Sequence, residues 1–148
     1  MTATTTWIPT STRTTTRQTP PESATRRQLW RTGAVAGVAA SVATLAFAAL
    51  TQAVGVSLKV GGQAIPVAGF AQLTFAASIV GTILAVVLSR RASRPRHTFL
   101  VTTIALTFVS FLPDAFANAH TATKVGLALS HVVAAVIVIP ALASRLTD

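Results

Sequence analysis

From Thr32 to Leu58 the chain runs without a charged residue, and from Val67 to Ser89 it does so again. A helix needs about 20 mostly apolar residues to cross a hydrocarbon core, and only a segment that closes its own backbone hydrogen bonds is stable there. Two further apolar runs follow, Thr98 to His120 and Lys124 to Ser144. The sequence therefore predicts an all-α, four-helix transmembrane bundle with spans over about 32–58, 67–89, 98–120 and 124–144, within a domain over 29–148. Hydrophobic residues make up 51% of the chain and charged residues 10%, which is outside the soluble globular range. The formal charge of +9 would suggest nucleic acid in a soluble protein. Here the arginines cluster at the ends of apolar runs, where anionic lipid headgroups are the better partner, so no nucleic-acid role is expected. The absence of cysteine excludes disulfides, thiolate metal sites and cysteine nucleophiles.

Residues 1–28 are rich in threonine and carry Pro9, Pro20 and Pro21, which reads as a disordered cytoplasmic tail, with a phosphorylation or docking segment as the alternative. Arg26, Arg27 and Arg31 surround Trp30 immediately before the first run, giving cations for phosphates and an amphipathic ring for the interface. Thr25-Arg26-Arg27-Gln28-Leu29 also has the look of a twin-arginine export signal, against which stand the three later spans. Arg90, Arg91, Arg94 and Arg96 fill the turn between spans two and three. With the N-terminus inside, these arginines, the tail arginines and Arg145 all face the cytoplasm, while only Lys59 and Lys124 lie outside. The positive-inside rule therefore puts both termini in the cytoplasm.

At 100° per residue Gly33, Gly37, Ser41, Thr44, Ala48, Thr51 and Gly55 share one face of the first helix, a helix-packing face that lets another backbone approach closely. The second helix carries Ala71, Thr74, Ser78, Thr82, Ala85 and Ser89 on one face, which would likewise look toward protein. Between the two runs, Gly61-Gly62 suits a tight hairpin turn.

The third run carries Thr103, Thr107, Ser110, Asp114, Asn118 and Thr121 on one face. An ionisable group within a span is costly and faces a partner, a cavity or a substrate path. Counting from the outer ends places Asp114 about 9 Å deep and His131 about 12 Å deep on the next helix, with Gln52 and Gln72 about 8 Å deep. Asp114, His131, Ser110, Asn118, Gln52 and Gln72 are thus the candidate polar pocket. Against it stands a purely structural role, in which Asp114 and His131 bond each other or Ser110, Asn118 and Ser130 to fix helix pairing. Asp114, His120 and His131 have no spacing that enforces metal geometry, so no metal or cofactor is expected.

Pro66-Val67-Ala68-Gly69-Phe70, Arg90-Arg91, Ser110-Phe111-Leu112-Pro113 and Leu129-Ser130-His131-Val132-Val133-Ala134-Ala135 ahead of Pro140 resemble a group of small four-helix membrane proteins of actinobacteria, catalogued as a domain of unknown function. The resemblance covers about residues 30–145. It implies four helices and a plasma-membrane location, and no activity. Two functional expectations remain. One is a non-enzymatic accessory or interaction protein of the cell envelope, self-associating through Gly33, Gly37 and Ser41 or packing on another membrane protein. The other is a small proton-linked transporter using Asp114 and His131 in an outward-facing pocket. An enzyme fits least, since no nucleophile-base spacing appears.

Overall fold

The computed structural model describes residues 22–56 and 58–148. In chain order it has helix α1 (Glu22–Ala53), strands β1 (Lys59–Val60) and β2 (Gln63–Ala64), and helices α2 (Val67–Arg91), α3 (Pro95–Phe116) and α4 (Thr121–Ala143). Each helix is long and apolar enough to cross a membrane, and the protein is an all-α four-helix bundle. The expected tail lies mostly outside the described residues, but its last part is a correction: α1 is already helical at Glu22.

The other ends move for local reasons. α1 stops at Ala53 rather than 58, because Gly55 takes φ +85. Its amide donates to the Gln52 carbonyl at 2.9 Å and the Val56 amide to that of Thr51 at 3.1 Å, a Schellman closure that occupies the last open carbonyls. Gly61 and Gly62 both have positive φ, as a two-residue hairpin turn requires, with Lys59 paired to Ala64 and Val60 to Gln63. α2 continues to Arg91, whose cation and that of Arg90 favour the negative end of the helix. α3 begins at Pro95, a first-turn proline, and ends at Phe116 instead of 120. Pro113 offers no amide to its last turn, and Lys124 Nζ donates to the Ala115 carbonyl at 2.7 Å. The connection expected at 121–123 therefore lies at 117–120. Asn118 and His120 belong to it, not to α3.

The Asp148 Oδ1 accepts the backbone N–H groups of Arg96 (2.9 Å) and His97 (3.2 Å), so a residue from beyond α4 caps α3. Asp148→Ala is expected to cost about 0.5–1 kcal/mol and to speed amide exchange at Arg96 and His97, both measurable on the full chain in detergent.

α1 packs most closely on α2 and α4, while α3 leans on α4 and touches α2 less. The small-residue stripes of α1 and α2 interlock. Gly33 sits under Thr82 and Gly37 under Ser78, and Thr44 Oγ1 meets Thr74 Oγ1 at 3.1 Å. At the end where α1 begins and α4 finishes, Leu29, Ala85, Phe99, Leu142, Ala143 and Leu146 form the core in which all four helices meet. Val38, Val42, Val80, Phe108, Leu112 and Phe116 are exposed, making the apolar belt a bilayer demands.

Candidate intramembrane site

Asp114 and His131 are brought together. His131 Nδ1 lies 3.1 Å from Asp114 Oδ2, with the His side chain 41% exposed and the Asp side chain 11%. Their positions along the helices do not match in the way the sequence count implied. Asp114 is about 3 Å from the end of α3, whereas His131 is about 15 Å along α4. The two meet because Ala117–His120 carries the chain outward before α4 starts, leaving the first turns of α4 projecting past α3. There α4 packs on the last turn of α1 and the loop after it, Gly126 facing Thr51 and Leu58, while the Gly61 amide donates to the Asn118 carbonyl of the α3–α4 connection at 2.9 Å.

Nδ1 also lies 3.1 Å from the Leu127 carbonyl, one turn back on its own helix. One N–H on Nδ1 therefore faces two acceptors. Directed at Leu127, it leaves the buried Asp114 Oδ2 at contact distance but with no well-aligned donor among the described residues. Phe111 closes the site from α3, its ring edge-on to the imidazole at 6.2 Å and 72°.

The neighbouring hydroxyls do not serve the pair. Thr103 Oγ1 donates to Phe99 O (2.7 Å), Thr107 Oγ1 to Thr103 O (2.8 Å), Ser110 Oγ to Thr107 O (2.7 Å) and Ser130 Oγ to Leu127 O (2.6 Å). Hydroxyls in a span commonly return to their own helix in this way. Ser110 nevertheless lies beside His131 on a cleft of about 420 Å³ between α2, α3 and α4, also lined by Ser78, Gly81, Thr103 and Thr107. Asn118 reaches the β1–β2 turn through its backbone, and Gln52 and Gln72 are exposed on α1 and α2. The six sequence candidates thus do not gather into one pocket: His131 and Ser110 share the cleft, His131 meets Asp114 behind it, and Asn118, Gln52 and Gln72 stand elsewhere.

Among the described residues no three His, Cys, Asp or Glu side chains stand together as metal ligands, and His120 sits in the turn before α4. The Leu127 carbonyl and Phe111 were not singled out from sequence. The four-residue step from Leu127 to His131 was the available signal for the first, and ring packing across helices leaves none. Arg26, Arg27, Arg31, Arg90, Arg91, Arg94 and Arg96 are exposed at the end where α1 begins and α4 finishes, with Trp30 41% exposed among them.

A family model described as a family of unknown function (DUF6069) matches residues 24–148. No curated protein and no solved structure matches the chain.

Proposed function

The chain belongs to that family of unknown function, which lends it no activity, and we propose from its own residues that it is a non-enzymatic interaction protein of the plasma membrane with both termini in the cytoplasm. The observation that carries this reading is the incomplete closure of the bundle on the α3 side. α3 has the least buried span of the four, and the cleft that it forms with α2 and α4 is mostly apolar, with the small or hydroxyl-bearing side chains of Ala77, Ser78, Gly81 and Thr103 set among larger ones such as Leu84 and Leu106. The small residues admit a helix backbone closely. A second copy of this chain or another membrane protein would supply the helix. The Gly33-Gly37-Ser41 face is not the contact, because α2 already covers Gly33 and Gly37. A photo-crosslinker at Leu106, on the cleft wall, is expected to give one discrete polypeptide adduct that disappears when Ala77→Phe fills the cleft. Adducts to lipid alone, or an adduct indifferent to Ala77→Phe, would overturn it.

A second reading is a proton-linked carrier. It is favoured by His131, which lines the cleft while its Nδ1 touches Asp114, placing a proton-accepting group between a cavity and a carboxyl. Proteoliposomes carrying the full chain would then show a proton-coupled flux that Asp114→Asn abolishes while the fold persists. Flux no greater than in empty vesicles rejects the carrier.

A further inference from the structure

The arginines at the end where α1 begins and α4 finishes are arranged as well as numerous. Arg26 on α1, Arg90 at the end of α2 and Arg145 after α4 border a cavity of about 250 Å³ beside Ser89. Arg145 also borders a groove of about 480 Å³ between α1 and α4, opposite Arg31. Below these two cations the groove changes character. Val35 lies one turn under Arg31, and Ala141 one turn under Arg145, with Ile137 one turn further. A step of four residues descends about 6 Å, so the walls pass from guanidinium to hydrocarbon over the thickness of a headgroup region. The Asp148 carboxylate near this end caps the first turn of α3.

The geometry points to a specific site for one anionic phospholipid, its phosphate held between Arg31 and Arg145 and one acyl chain laid along Val35, Ile137 and Ala141. Guanidinium groups bind phosphate oxygens in forked pairs, which a planar donor set on two facing helices can supply. A free phosphate would use only the cationic half; the apolar half has no role for it. The cavity at Arg26 and Ser89, sharing Arg145, leaves room for the polar group esterified to that phosphate. This site is separate from the cleft on the α3 side and does not depend on the function proposed for it.

The test is native mass spectrometry of the full chain in detergent, titrated with phosphatidylglycerol or phosphatidylcholine. The wild-type chain is expected to hold one phosphatidylglycerol, and Arg31→Gln with Arg145→Gln to weaken that binding about tenfold or more. Arg91→Gln with Arg94→Gln removes the same charge outside both cavities and is expected to change it by no more than about twofold. Ala141→Trp keeps the charge, fills the apolar half and is expected to release the lipid, with the thermal unfolding temperature reporting that each variant is folded. Equal losses from the two arginine pairs would overturn the site in favour of general surface attraction. Equal binding of phosphatidylcholine would overturn it as well, and so would displacement by millimolar inorganic phosphate, which would mark a phosphate site without a lipid.

Discussion

Gly33→Val is expected to destabilise the bundle by about 2–3 kcal/mol, or to prevent α1 and α2 from docking at all, because the position has no room for a side chain. Even a Cβ there would overlap the hydroxyl of Thr82 and lie 2.7 Å from its Cγ2 and 2.9 Å from its Cβ. Thr82 cannot simply turn aside, since it is buried and its hydroxyl is bonded to the Ser78 carbonyl at 2.7 Å. The helices must separate instead. Separation would release the Thr44–Thr74 contact at 3.1 Å and the close approach of Gly37 to Ser78, where a Cβ would meet Ser78 Cβ at 3.0 Å. Without a hydrophobic drive between helices in lipid, such close packing is what holds them together. Gly33→Ala with Thr82→Ala is expected to recover part of the loss of Gly33→Ala alone. Gly69→Ala, whose nearest neighbour is Ile65 Cγ2 at 3.9 Å, should be nearly neutral. Denaturant titration of the full chain in detergent reads all of these. A Gly33→Val protein as stable as the parent would mean that α1 and α2 do not pack through these stripes.

His131→Leu is expected to cost about 1–3 kcal/mol, because it withdraws the imidazole nitrogen that lies 3.1 Å from the buried Asp114 oxygen. Polar contacts between spans can be worth as little as about 0.6 kcal/mol, but that figure applies where the remaining partner finds another. Here the nearby Ser110 and Ser130 hydroxyls are already bonded to their own helices, so neither is free to replace the imidazole beside Asp114. Adding Asp114→Leu should therefore restore stability toward the parent. The double variant is expected to be more stable than His131→Leu alone, the inversion that marks a buried polar pair replaced by apolar side chains. Equal or additive losses in the same titration would mean that the two side chains do not interact.

The four helices and the packed stripe of α1 were legible because both follow from periodicity. An uncharged run of sufficient length is a span, and glycines spaced four apart must share a face. Helix ends were less so. The third run reads as apolar through His120, yet α3 stops at Phe116 because of a missing Pro113 amide and a Lys124 side chain folded back on Ala115, a contact made only when α4 is in place. The meeting of Asp114 with His131 was also legible, but the counted depths were not, since they depend on where the turn falls. Gln52 and Gln72 show the limit of counting: depth along a helix says nothing of rotation about it, and both turned outward. Asp148 capping α3 and Arg145 shared between two cavities are contacts between distant parts of the chain, and no local pattern announces them.

The hydroxyls that return to their own helices have a consequence for biogenesis. α1 and α2 bring most of their polar side chains already neutralised, through bonds such as Ser41 to Gly37, Thr51 to Phe47 and Ser78 to Thr74, so each can leave the insertion machinery for lipid without waiting for its neighbour. α3 differs, since the Asp114 oxygen finds its counterpart only on α4. The short connection of residues 117–120 delivers that counterpart soon after, so the last two spans are built to partition into the bilayer together as one hairpin.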